Sequence, residues 1–480
     1  MPQTIKHLVV LMLENRSFDH VFGFMRSKRY PVDGLTGKES NPLDPHAKSA
    51  KVTVSADAGY VLPQDAGHAF HDVNVQLFAK PGGPPPSGAP NRGFVFSYGQ
   101  QAGVGPGNAP RIMQCFGDGR LPVIQRLARE YAICDRWFSS VPGPTWPNRF
   151  FAHCATSKGY LDNSIHFYDM PSIFEKLAAN GLTWNVYFHD FAQALALNRL
   201  NEDENRQHFL FYSSFKFDAK HGALPNYAFI EPRYFRGFKP ANDQHPPHDM
   251  LEGEALIADV YETLRASSAW NETLLLIVYD EHGGTYDHVP PPAATPPDKH
   301  TAQFAFDRYG LRVPAVIVSP YVPKGTIIRT EFDHTSIAAT LCKLYGMAGS
   351  LTARDANAQT FHGAASLDTP RTDTPLSVKP AQRAASMSAA HQGGKSKAKR
   401  KARVRAAPQP VSDVQQSLLD LADSVAKKTR QKGLARAALA PAAVVTERAA
   451  ASRLRQVVKA YLKDAARRPA TPRKRKVRAK

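Results

Sequence analysis

Residues 273–284 read Thr-Leu-Leu-Leu-Ile-Val-Tyr-Asp-Glu-His-Gly-Gly. An apolar run of this length, without polar alternation, describes a strand buried on both faces, as inside an α/β sheet. It stops at Asp280 and Glu281, two acids that are costly to place together at the end of a buried strand unless a cation neutralises them. Gly283 and Gly284 then allow a tight turn and a close backbone approach to a ligand.

The same design recurs outward from this stretch. Residues 6–13, with Leu8-Val9-Val10-Leu11-Met12-Leu13 at their centre, form a second buried strand that ends at Glu14-Asn15. Further strands are expected at 133–138, 183–188 and 315–318. Helical periodicity lies between them at 121–131, 172–179, 253–266 and 336–344; Leu121, Ile124, Leu127 and Ala128 share one face of the first. Alternating helices and buried strands predict an α/β three-layer sandwich with a largely parallel central sheet. Residues 31–110, rich in Gly, Pro, Asn and Ser, read as long irregular excursions.

Composition supports one large packed unit, since 42% of the 480 residues are hydrophobic and wholesale disorder is thereby excluded. The net charge of +19 is unevenly placed. Residues 371–480 hold 28 Lys and Arg against 6 Asp and Glu, which leaves residues 1–370 with 33 against 36. The expected organisation is therefore a catalytic domain over 1–370, a disordered linker over 371–410 and a basic, partly helical tail over 411–480. Within the tail, 411–429 and 444–466 carry amphipathic patterns. Cys115, Cys134, Cys154 and Cys342 are irregularly spaced and read as buried free thiols. No stretch approaches the roughly 20 apolar residues of a membrane span. The apolar run at 8–13 is too short for a signal peptide and lacks a small-residue cleavage site, so a cytoplasmic location is expected unless the start codon is misassigned.

In open α/β sheets ligands bind beyond the carboxyl ends of the strands. Glu14 and Asn15 offer two oxygen ligands for a divalent cation, although Asn15 or Ser17 can equally cap a helix. Asp280, Glu281 and His282 sit at a second strand end; Asp287-His288 is a weaker candidate nearby. In Pro142-Gly143-Pro144-Thr145-Trp146-Pro147-Asn148-Arg149 the prolines hold the Thr145 hydroxyl in a rigid turn. A hydroxyl needs a base or a metal to become a nucleophile, and Arg149 has the shape to clamp a phosphate. His245 and His248 surround Pro246-Pro247, and either suits protonation of a leaving oxygen; Asp249 reads as a helix cap. His68 and His71, in a loop, compete for a similar role.

Taken in order, Glu14-Asn15-Arg16-Ser17-Phe18-Asp19, Pro144-Thr145-Trp146-Pro147-Asn148-Arg149, His245-Pro246-Pro247 and Asp280-Glu281-His282-Gly283-Gly284-Thr285-Tyr286-Asp287-His288-Val289 resemble the bacterial phosphoesterase family of phospholipases C and acid phosphatase. Asp333-His334-Thr335-Ser336 resembles its late segment, and the likeness covers about residues 5–350. This resemblance implies an alkaline-phosphatase-like fold and one divalent metal ion of unspecified identity. It implies Glu14, Asn15, Asp280 and Glu281 as metal ligands, completed by Thr145, the nucleophile, at a position where the family uses Ser or Thr. It further implies His68 and His245 at the phosphoryl or leaving group, with His248 and His71 as rivals, and Arg149, His282 and His334 in substrate binding. The expected activity is metal-dependent hydrolysis of phosphate esters through a phospho-threonine, phospholipase C-like, with acid phosphatase as the alternative.

Two other classes compete. The basic runs Lys395–Arg405 and Arg473–Lys480 would attract nucleic acid or an anionic membrane surface, making the chain a polyanion-binding protein that works through its tail. A sulfatase or phosphonate hydrolase on the same scaffold is disfavoured, because Thr145 cannot become the formylglycine that sulfatases use.

Overall fold

The computed structural model describes residues 5–80, 90–381, 411–428 and 446–467. Ten strands follow one another: β1 His7–Leu13, β2 Ser40–Pro42, β3 Lys51–Thr53, β4 Ala132–Cys134, β5 Trp184–Phe188, β6 Phe209–Phe211, β7 Tyr227–Glu231, β8 Thr273–Tyr279, β9 Ala315–Val318 and β10 Thr326–Ile328. Eight form one sheet in the order β10-β4-β9-β8-β1-β7-β5-β6, and β2 pairs with β3 separately. Only β9 runs against its neighbours in the large sheet. The central pair is in register from His7↔Thr273 to Leu13↔Tyr279, so Glu14 and Asp280 leave the sheet side by side.

Both faces of the sheet are covered. Leu8–Leu13 and Leu274–Tyr279 are 0% exposed, which explains their unbroken apolar sequence. Trp184 and Tyr187, three residues apart on β5, point to opposite faces. Trp184 packs on Phe174 of the helix Ile173–Ala179, and Tyr187 on Phe215 of the helix Tyr212–Lys220. Helices therefore flank the sheet on two sides, as the alternating pattern predicts. Ser172 closes a capping box with Glu175 at the start of Ile173–Ala179, and Asp249 caps Met250–Arg265 through the Leu251 N–H. All four cysteines are free, three of them buried.

Other elements differ from the sequence reading. The irregular region contains the helices Phe70–Phe78 and Phe94–Gly99, which pack around Val73, Leu77, Phe94 and Tyr98 as a small second core. The strand expected at 133–138 shortens to Ala132–Cys134, leaving Trp137 and Phe138 in isolated bridges. The helices Asp413–Lys428 and Glu447–Arg467 exist and pack on the domain; Leu418, Ala422, Val425 and Leu454 are 0% exposed within the main core. Residues 382–410 and the terminal run 473–480 lie outside the described residues.

A buried ion network ties the two central loops together. Arg312, 0% exposed, donates to Asp287 at 2.9 Å and to Asp19 at 3.0 Å; Asp19 also accepts from His288 at 2.6 Å. With Arg312 filling its middle, the Asp19–Asp287–His288 group is a structural knot. Removing the guanidinium strands two buried carboxylates, so Arg312→Ala is expected to cost about 3–5 kcal/mol of unfolding free energy in urea. Arg329→Ala, which loses an exposed 2.7 Å hydrogen bond to the Pro31 carbonyl and a 3.9 Å contact with Asp135 from a side chain 58% exposed, is expected to stay within about 1 kcal/mol.

Candidate active site

Since β1, β8, β7 and β5 all run parallel, their carboxyl ends open on the same edge, and four sequence candidates gather there. Glu14 and Asn15 follow β1; Asp280 and Glu281 follow β8; all four are 0% exposed. The Asp280 carboxylate accepts the backbone N–H of Asn15 at 3.2 Å and of Glu281 at 2.7 Å, which locks the two strand ends together. Asn15 has φ +54, a left-handed conformation that asparagine tolerates. Ser17 takes the capping role instead, accepting the His20 N–H at 3.1 Å. Gly283 is required on two counts: its φ is +60, and a Cβ there would meet the Asn15 carbonyl at 2.2 Å. A Cβ at Gly284 would meet the Gly67 carbonyl at 2.6 Å, on the loop that carries His68.

Thr145 is not in a plain turn; it is the first residue of the helix Thr145–Cys154, with Pro144 at the N-cap. Asn148 braces this entry, accepting from the Val141 N–H and donating to the Gly143 and Pro144 carbonyls, each at 3.0 Å. Pro147 falls in the first turn, where its missing N–H costs nothing. The hydroxyl is thus carried at a helix N-terminus, an environment that favours anionic groups, and lies 3.5 Å from the Asn15 side-chain oxygen.

The electrostatics of the cluster are unbalanced. Arg149 donates to Asp280 at 3.0 Å and to Glu14 at 3.1 Å, and Gln193 donates to Glu14 at 2.6 Å. One guanidinium thus serves two buried carboxylates, and the buried Glu281 carboxylate is not among its partners. Burial, reinforced by the Asp280 charge, pushes the Glu14 and Glu281 carboxyls well above the usual range, with Arg149 and His68 respectively pulling the other way. Glu14 Oε2, Glu281 Oε1 and the Asn15 amide nitrogen have no hydrogen-bond partner. Hard oxygen ligands, an excess of buried negative charge and unpartnered polar atoms fit a divalent cation.

Two histidines overlook this group. His68 Nδ1 bonds the Ala66 carbonyl at 2.9 Å, and His245 Nδ1 bonds the Pro246 carbonyl. This turns Nε2 of His68 towards Asp413 at 3.5 Å and Nε2 of His245 towards Asp65 at 3.7 Å, and the rings lie 5.5 Å apart. Burial opposes a charge on His68, but Glu281, Asp413 and Asp65 outweigh it and hold the ring well above its ordinary pKa. His71, with 72% of its side chain exposed, pairs with Asp72 at the surface. His248 sits behind His245, between Asp243 at 2.6 Å and Glu447 at 3.5 Å, and these acids raise it to about 9 against the effect of burial.

The candidates read as substrate-binding lie elsewhere. Arg149 pairs with Asp280 and Glu14 through Nε and Nη2, and its Nη1 has no hydrogen-bond partner. His334 donates from Nε2 to the Asp280 carbonyl at 2.5 Å and accepts at Nδ1 from the Trp137 indole at 3.2 Å, so both ring nitrogens are occupied. His282 bonds Gln76 at 2.7 Å, and burial drives its pKa down to about 3. These residues position the loops that carry the ligands.

Asp65 and Asp413 escaped the sequence reading. Asp65, His68, His245 and Asp413 bring ligand atoms within 4.8 Å of one another, a set that also suits a metal ion. Asp413 opens the helix Asp413–Lys428 and accepts from Asn163 at 2.8 Å, while Asn163 accepts the Trp146 N–H at 2.8 Å. Asp65 lies in a polar loop without a motif, and Asp413 lies beyond the segment that carries the motifs.

A three-layer α/β protein with a hydroxyl at a helix N-terminus, an oxygen-rich cation cradle and two facing imidazoles belongs to the class of phosphoric ester hydrolases. The phosphoesterase family model matches residues 5–348, and the chain belongs to that family. It is 43% identical over 397 residues to non-specific phospholipase C1 of Arabidopsis thaliana, covering 77% of this chain and 73% of that protein. It is 28% identical over 396 residues to phospholipase C B of Mycobacterium tuberculosis, covering 72% and 74%. The relatives thus include plant as well as bacterial proteins. Among solved structures, a protein of the alkaline phosphatase superfamily from Vibrio parahaemolyticus aligns with TM-score 0.31 and 10% identity, over 52% of this chain and 66% of that one.

Proposed function

We propose that this protein cleaves phospholipids in the manner of a phospholipase C, through a phospho-threonine at Thr145, with one divalent cation held by Glu14, Asn15, Asp280 and Glu281. The observations that support the reading are the Thr145 hydroxyl beside Asn15, the unpartnered oxygens of Glu14 and Glu281, and the neighbouring rings of His68 and His245. The names of the plant and mycobacterial relatives supply the substrate class.

A cation in this cradle supplies positive charge for the ionised hydroxyl and the phosphoryl oxygens. The chain's residues account for the rest. Thr145 Oγ forms a bond to phosphorus as the bond to the diacylglycerol oxygen breaks. His68, whose ring Glu281 helps to hold well above its ordinary pKa against burial, gives its proton to that oxygen. The neutral ring then accepts a proton from water, which attacks phosphorus, releases the phosphorylated head group and restores Thr145. His245, whose ring neighbours that of His68, would hold a phosphoryl oxygen.

The test compares p-nitrophenyl phosphate, p-nitrophenylphosphorylcholine and phosphatidylcholine vesicles, with and without a chelator. Turnover of both diesters that chelation abolishes and a divalent cation restores is the expected result. A strong preference for the monoester would replace phospholipase C with a phosphatase. Turnover indifferent to chelation would remove the cation.

A further inference from the structure

The carboxyl edge of the sheet carries a second feature that the reaction does not use. Past the ends of β5 and β7, at the same edge as Glu14 and Asp280, the segments 189–190 and 233–239 meet the helix Glu447–Arg467. They enclose a shallow cavity of about 360 Å³. Phe238 is 79% exposed and Phe211 37% exposed, both unusual for phenylalanine on a surface that must stay in water. The cations Arg233, Lys239, Arg455 and Lys459 surround them, and the Arg455 guanidinium lies 4.8 Å from the Phe238 ring centre. Asp190, the acid of this cavity, is turned inward and accepts the N–H groups of Phe191, Tyr234 and Phe235 at 2.9–3.0 Å. The outward face is therefore aromatic and positively charged.

Its position relative to the active site follows from the helix. Glu447, at the first turn, meets His248 at 3.5 Å and the Arg236 backbone N–H at 3.3 Å. Arg455 and Lys459 lie on one stripe of that helix, roughly 12 and 18 Å further along its axis at 1.5 Å per residue.

We propose that this face docks the enzyme on an anionic phospholipid surface, with Phe238 and Phe211 entering the interface and Lys239, Arg455 and Lys459 meeting lipid phosphates. Charge complementarity selects the occupant: cations flanking protruding aromatic rings match the headgroup layer of a bilayer, where aromatic side chains settle and each nearby basic residue adds attraction. Nucleic acid is the competing polyanion, and its phosphates would engage the cations. This docking builds on the phospholipase reading, and it presents the strand ends to the membrane that holds the substrate.

Sedimentation of the full-length protein with vesicles of phosphatidylcholine, alone or mixed with phosphatidylglycerol, tests the proposal. Phe238→Ser and a Lys239→Glu/Arg455→Glu/Lys459→Glu variant are compared with wild type. Each is expected to lower affinity for the mixed vesicles at least tenfold and to slow vesicle hydrolysis in parallel. Turnover of p-nitrophenylphosphorylcholine should stay within twofold of wild type, which shows that the variants are folded. Vesicle binding unchanged in both variants would overturn the docking face. So would wild-type binding that ignores phosphatidylglycerol, or duplex DNA binding as strong as vesicle binding and insensitive to Phe238→Ser. Wild type that binds through this face yet hydrolyses no phospholipid would uphold the docking and reject the substrate reading instead.

Discussion

Thr145→Ala is expected to lower kcat for p-nitrophenylphosphorylcholine by at least about 10³-fold while leaving the fold intact. The side chain is 0% exposed and the change removes its hydroxyl and γ-methyl, but the hydroxyl's only hydrogen bond among the described residues is the 3.5 Å one to Asn15, and Asn148, which braces the turn through three backbone groups, is untouched. Loss of stability is therefore expected to stay within about 1 kcal/mol, checked by the urea midpoint of the same preparation. Thr145→Ser keeps the hydroxyl and is expected to retain turnover within about tenfold, since removing one methyl leaves the nucleophilic atom in place. Quenching a reaction with ³²P-labelled substrate should trap label on the wild type and the serine variant, and none on the alanine variant. Full turnover in Thr145→Ala, in a preparation free of wild type, would assign the attacking oxygen to water and end the two-step mechanism.

The legibility of this site in the sequence varied with the physics of each residue. Glu14 and Asp280 stand at the ends of strands buried on both faces, where periodicity is plain and an acid cannot be placed without a reason. Thr145 was visible as a braced hydroxyl, yet its helix was masked by three prolines in six residues; the helix tolerates Pro147 because first-turn N–H groups need no intrahelical partner. The choice between His68 and His71 was open, since both sit in one loop and only the tertiary fold turns one inward. Arg149 shows the limit of motif chemistry. A guanidinium beside a nucleophile reads as a phosphate clamp, but here it offsets Glu14 and Asp280, and nothing local in the sequence distinguishes the two. The contact of a helix beyond residue 410 with His68 was illegible for a different reason. Amphipathic spacing shows that 413–428 has an apolar face, not which surface that face covers.

That covering helix leads to the expectation that Asp413→Ala raises activity. The Asp413 carboxylate lies 3.5 Å from His68 Nε2 and 2.8 Å from the Asn163 amide, within reach of His245 as well. Burial disfavours its charge, but His68 more than compensates and holds the carboxyl well below the usual range, so it is an anion among cationic and amide donors. A phosphoryl oxygen would seek the same partners. Glu14, Asn15, Thr145, Asp280 and Glu281 are all 0% exposed, so substrate enters only when part of this cover moves, and the carboxylate must give up its place to the phosphoryl group. Removing it is expected to lower KM for p-nitrophenylphosphorylcholine and Ki for inorganic phosphate by about tenfold or more, the equivalent of about 1.4 kcal/mol, with Asp413→Asn falling between alanine and wild type. The opposing arrangement is equally concrete. If Asp65, His68, His245 and Asp413 hold a cation of their own, Asp413→Ala must lower both activity and the metal bound per chain, measured by elemental analysis of the dialysed protein. A fall in KM at unchanged metal content places a displaceable carboxylate in the phosphoryl pocket; a loss of one equivalent of metal with a loss of rate makes Asp413 a ligand instead.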